Sequence, residues 1–73
     1  MADYVVMYQD RQTRREMGMV DGRLVNAAVA IAEASKLNVE GEHLQIPGVN
    51  EAVGYRRDKT VEFPARIPWS RVS

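Results

Sequence analysis

Between Gly22 and Leu37 the chain carries the pattern that most restricts its fold. Leu24, Ala27, Ala28, Ile31 and Ala34 recur at helical spacing, with Val25 and Ala32 on the shoulder of that stripe. Asn26 and Glu33 mark the polar side. Five alanines between Ala27 and Ala34 favour helix and allow close approach to another layer. Asp21 stands where an N-cap carboxylate accepts from first-turn N–H groups, Lys36 falls in the last turn, and Asn38 suits a left-handed ending. Ser35 interrupts the stripe, with its hydroxyl placed to bond back to the carbonyl of Ile31. The spacing predicts a helix over 22–37. No second stretch has this period, so the remaining apolar residues must form whatever this helix packs on.

Those residues read as strands. Asp3 to Tyr8 is rich in β-branched and aromatic side chains, with Tyr4, Val6 and Tyr8 on one face and Val5 and Met7 on the other. Both faces are apolar, which makes this strand either central or in need of a partner. Gln9 to Glu16 is polar; as a helix it would gather Arg11, Arg14 and Arg15 on one side, and as a solvated connection those arginines would pair with Asp10 and Glu16. In Met17–Val20, Gly18 marks a turn or a place where another backbone comes close. His43–Ile46 reads as a short strand, Pro47-Gly48 as a turn, and Val49–Val53 as loop or one helical turn. A hairpin is expected over Val53–Phe63, with Tyr55 opposite Phe63.

These elements amount to an α+β fold: a small, largely antiparallel sheet with one main helix packed across a face. The domain is expected to span 1–64, followed by an extended tail over 65–73 that holds Trp69 between Arg66 and Arg71. Ile67 and Trp69 either fold back to close the core or meet a partner. The expected buried set is Val6, Leu24, Ala28, Ile31, Ala32, Leu44, Ile46, Val53, Val61 and Phe63. On that reading Leu24→Ala or Ile31→Ala costs roughly 2–5 kcal/mol.

Composition then removes classes of function. Ten basic residues, eight of them Arg, balance ten acidic ones, and both halves of the chain are neutral, so bulk positive charge cannot drive nucleic-acid binding. Without cysteine there is no disulfide, thiol nucleophile or thiolate metal site. No apolar run approaches the roughly 20 residues of a membrane span. The start of the chain has no basic and apolar secretory pattern, and a cytoplasmic protein is expected. Catalytic equipment is equally sparse. The hydroxyls of Thr13, Ser35, Thr60, Ser70 and Ser73 have one imidazole to serve them, His43, and the five glycines stand isolated rather than in a phosphate-binding loop. No catalytic, cofactor-binding or metal-ligating residues are assigned, and no cofactor is expected.

Binding remains. Arg, Met, Tyr and Trp are favoured at protein interfaces, and this chain has eight, four, three and one of them. Val5, Met7, Arg11, Arg14, Arg15, Arg66, Trp69 and Arg71 are the candidate contacts for a protein partner, which would add along the first strand or dock against Val5 and Met7. The alternative is a nucleic-acid module in which Arg56, Arg57, Lys59, Arg66 and Arg71 meet phosphates beside Tyr55 and Trp69. Glu51, Asp58 and Glu62 stand among those bases and oppose that reading.

In its size, its strand–helix–strand plan and its Arg-rich short elements, the chain resembles the small RNA-polymerase-binding transcription regulators of lytic phages that infect plant-pathogenic bacteria. The resemblance covers overall organisation, and no family motif carries residue roles across. It implies a phage-encoded protein acting in the host bacterial cytoplasm: a stoichiometric, non-enzymatic binder of a large polymerase subunit that inhibits transcription or suppresses termination. A monomer without cofactor or membrane attachment is expected.

Overall fold

A computed structural model describes residues 1–68. It contains β1 (Tyr4–Asp10), β2 (Glu16–Val20), β3 (Arg23–Asn26), α1 (Ala27–Leu37), β4 (Glu42–Leu44) and β5 (Val49–Arg56). The strands form one antiparallel sheet in the order β3-β2-β1-β5-β4. Helix α1 lies on one face, and the loop at 45–48 and the irregular segment 61–68 lie on the other. The expected α+β architecture is therefore the observed one.

β1 is central, which is why both of its faces are apolar. Val5 and Met7 face the helix layer, whereas Tyr4, Val6 and Tyr8 face the opposite core. The β1–β2 connection is a tight turn rather than a helix. Asp10 N–H donates to the Arg15 carbonyl (2.9 Å) and Arg14 N–H to the Asp10 carbonyl (2.8 Å), while the Asp10 carboxylate accepts from Gln12 N–H and the Thr13 hydroxyl.

The next connection overturns the expected helix start. Asp21 (φ 50°) and Gly22 (φ 87°) are the two central residues of a hairpin loop, since Val20 pairs with Arg23. Positive φ at both positions is the type I′ arrangement that matches strand twist, and Asp-Gly is a preferred pair for it. The Asp21 carboxylate accepts from Asp3 and Tyr4 N–H, so it ties the hairpin to β1 instead of capping α1. Residues 23–26 are strand. Asn26 is the actual N-cap, accepting from Val29 N–H at 2.9 Å, and Asn38 (φ 53°, ψ 49°) ends the helix in the left-handed conformation as expected.

The helix is also rotated from its expected phase. Ala30, Ala34 and Leu37 are buried against Ala2, Val5 and Val20, with Met7, Val25 and Tyr55 around them. Leu24, Ala28, Ile31 and Ala32, all expected in the core, are exposed. The reason is room. A Cβ placed on Gly18 would stand 2.2 Å from the Ala30 Cβ, so α1 presses directly onto the β2 backbone, and only a small side chain fits at the crossing.

On the other face Val6, Tyr8, Met19, Ile46, Val49, Ala52 and Ile67 form the second core, with Tyr4, Met17, Leu44 and Phe63 packed against it. Pro47-Gly48 forms the expected turn, with Val49 N–H donating to the Ile46 carbonyl. The expected Val53–Phe63 hairpin is absent. β5 begins at Val49, in the stretch expected to be loop or helical turn, and pairs with β1 and β4. Phe63 then crosses over Gly54 and meets Tyr4 edge-on, 6.1 Å between ring centres, while Tyr55 faces the helix layer. Val53, Val61 and Leu44 are half-buried rather than core. Ile67, 2% exposed, takes the core-closing role; Trp69 and Arg71 lie outside the described residues.

Candidate protein-binding surfaces

The outward side of α1 is the first surface. Ala28, Ile31, Ala32 and Ser35 fall together on it by their i, i+3, i+4, i+7 spacing, and all are exposed. Ile31 is 52% exposed at the edge of this face, and Val29, 43% exposed, lies on the opposite flank of the helix beside Val25 and Glu33. The only charged residues of the helix, Glu33 and Lys36, pair with each other at 3.3 Å. α1 rests chiefly on β1 and β2 and touches β5 least, which leaves an open groove along its far side. Met7 and Tyr55 line this groove from the sheet, Ile31 and Val39 from the helix and its exit. Ser35 donates its hydroxyl to the Ile31 carbonyl (2.9 Å), as its position in the sequence suggested.

Val5 does not contribute to this surface. It is 0% exposed beneath the helix. β1 also has β2 on one side and β5 on the other, so no partner strand can add along it. Of the two apolar contacts expected on the first strand, Met7 alone reaches the groove.

The second surface is the end of the sheet where β1 turns into β2. Arg11 is fixed there: its N–H donates to the Gly48 carbonyl, its Nε to Asn50 Oδ1 and its Nη2 to the Val49 carbonyl, the last two at 3.2 Å. Asn50 in turn donates to Gln9 Oε1, and Gln9 donates to the Arg14 carbonyl. Arg14 and Arg15 are exposed and form no ion pair with a described residue, contrary to the pairing with Asp10 and Glu16 that a solvated connection implied. Arg66 shares a cleft with Pro47 and Gly48, which brings it to the same end.

The opposite end carries Arg23, Arg56 and Arg57; Arg56 and Arg57 are neutralised, whereas Arg23 is exposed and has no ion pair among the described residues. Arg56 makes a two-pronged bond to Glu42 (2.8 and 2.9 Å), donates Nη1 to the Val61 carbonyl (3.0 Å), and lies over the Phe63 ring. Arg57 donates to Asp3 (3.0 Å) and Asp58 (2.7 Å), and these bonds raise its pKa above the usual arginine value. The Asp58 carboxyl is held below its usual range, first by its bonds from Thr60. The basic set expected for nucleic acid is thus divided: Arg56, Arg57 and Lys59 sit at one end of β5, and Arg66 near the other. The eight residues of β5 separate those ends by roughly 20–25 Å.

Among the described residues no group of three or more His, Asp or Glu is arranged to hold a metal ion, and no helix is long and apolar enough to cross a membrane. The outward helix face was visible in the sequence as an apolar stripe, but as core. Nothing in the spacing distinguishes a stripe that faces a sheet from one that faces a partner. Comparison with known family models, with characterised proteins and with solved structures finds no match to this chain.

Proposed function

We propose that the chain is a non-enzymatic, protein-binding regulator, and that its partner belongs to the transcription machinery, a large RNA polymerase subunit being the first to test. The observation that carries protein binding is the outward face of α1, where Ala28, Ile31 and Ala32 stand in water and Ile31 continues into the groove of Met7 and Tyr55. Apolar surface gathered in this way, with a single ion pair on the whole helix, marks an interaction site more often than idle surface. A partner that inserts an apolar ridge between Ile31 and Tyr55 gains burial without any change in this fold. The choice of polymerase rests on the resemblance in size and organisation alone.

The nucleic-acid reading loses support, because Arg56 and Arg57 already spend their charge on Glu42, Asp3 and Asp58. Duplex binding is expected to be no tighter than the non-specific range, about 10⁻⁴ to 10⁻⁶ M at physiological salt. Five phosphate contacts would instead give a log–log salt slope near about −4.5. The deciding experiment is capture of purified core RNA polymerase by the immobilised chain, run beside Ile31→Glu. The wild type should retain polymerase and the folded variant should lose it. No retention by the wild type removes polymerase as the partner, and equal retention by both removes the helix face as the contact.

A further inference from the structure

The arginine end of the sheet has a chemistry of its own. We infer that Arg11, Arg14, Arg15 and Arg66 recognise an acidic polypeptide segment on the partner, an inference that rests on the protein-binding reading and names the partner's chemistry. Three observations carry it. The first is preorganisation. Arg11 uses two of the five N–H donors of a guanidinium to hold itself against Asn50 and the Val49 carbonyl, so it meets a carboxylate with little side-chain freedom left to lose.

The second observation is the contrast in pairing. Arg14, Arg15 and Arg66 have no ion-pair partner among the described residues; at the opposite end Arg56 and Arg57 each have at least one, and Arg23 stands there as a lone guanidinium without one. With Arg11 they make four guanidiniums at this end against three carboxylates, the buried Asp10 bonded within the turn and the exposed Glu16 and Glu51. The exposed surface therefore carries a small local excess of positive charge that speeds encounter with the opposite sign.

The third is the backbone of Arg14. Its φ of 64° lies in the left-handed region, where Asn, Asp or Gly is the usual occupant and a bulky side chain is an outlier. A turn needing only its own geometry is better served by glycine. Arginine at that position puts an exposed basic side chain in the turn, and strain of this kind gathers at functional sites. The exposed Glu16 and Glu51 lie close to the same turn and interrupt the positive surface. They suit discrete carboxylates at set spacings and repel a continuous phosphate chain, so an acidic peptide is favoured over nucleic acid.

The test uses the full chain, an octaglutamate peptide as the probe, and arginine Nε–H correlation spectra as the readout. The expected result is saturable shifts at Arg11, Arg14, Arg15 and Arg66, with Arg56 and Arg57 unmoved, weakening as salt rises from about 20 to about 200 mM. The variant Arg14→Gln/Arg15→Gln/Arg66→Gln should bind the peptide about tenfold more weakly with an unchanged thermal midpoint. Arg11 is left in place there because its bonds also hold β5. Absence of saturable shifts, or shifts centred on Arg56 and Arg57, overturns the inference. So does a single-stranded oligonucleotide of similar charge that moves the same signals at lower concentration. If the peptide binds while core polymerase is not captured, the acidic-segment inference stands and polymerase falls. If polymerase is captured while the peptide does not bind, the protein-binding reading stands and this inference falls.

Discussion

The two sides of α1 are both apolar and differ in what they can fit. The inward side is Ala30, Ala34 and Leu37: small where the helix crosses β2 at Gly18, large at its end. The outward side carries Ala28 and Ala32, with Ile31 on one flank and Val29 on the other. Transfer from water alone would bury Ile31 ahead of Ala30, since a fully buried Ile side chain is worth about 1.5–3 kcal/mol. The packing does the reverse. Space at the helix–sheet crossing decides which apolar side goes in, and hydrophobicity decides only that each side would gain from being covered. The uncovered side is then a surface with free energy still to be gained on binding.

Substitutions on the two sides should therefore behave oppositely. The largest effect is expected from Gly18→Val, which puts a branched side chain where even a Cβ would overlap Ala30. The helix must lift from β2, at about 3 kcal/mol or more. In a chain this small that suffices to unfold much of the population, seen as lost far-UV circular dichroism. Leu37→Ala comes next. It empties the buried end of the inward side and should cost about 2–5 kcal/mol in urea unfolding.

Asn26→Ala probes where the helix begins. Loss of its bond to Val29 N–H should cost about 1 kcal/mol, whereas a helix starting at Gly22 would have Asn26 in its second turn and feel little. The smallest effect belongs to the outward side: Ile31→Ala should change stability by less than about 0.5 kcal/mol. That replaces the cost of roughly 2–5 kcal/mol expected when Ile31 is placed in the core.

Much of this fold can be read from the residues. The alternation in β1, the Pro47-Gly48 turn, the Asn38 ending and the back-bond of Ser35 follow from local chemistry, and each is present. The misreadings share a physical cause, which is that two local explanations competed. Asp21 can cap a helix or turn a hairpin, and pairing of residues 23–26 with β2 decides for the hairpin. Tyr55 and Phe63 look like cross-strand partners, but β5 finds β1 and β4 on its two sides, and Phe63 is left to cover the sheet. The phase of α1 depends on Gly18, nine residues before the helix starts, and no helical periodicity contains that information.

The candidate surfaces follow the same division. Arg11, Arg14 and Arg15 are recognisable as a group because they are close in sequence, while Arg66 joins them only through the 47–48 turn. Val5 is apolar and near Met7, yet its burial depends on where α1 lies. Neither fact can be drawn from spacing.

Thermal unfolding of Ile31→Glu tests the central claim, that the helix keeps Ile31 in water, most directly. A charged side chain at a solvent-facing helical position should move the midpoint by no more than about 4 °C, given about 4–8 °C per kcal/mol for a domain of this size. A fall of about 10 °C or more would mean that Ile31 belongs to the core, and that the outward surface described for α1 does not exist.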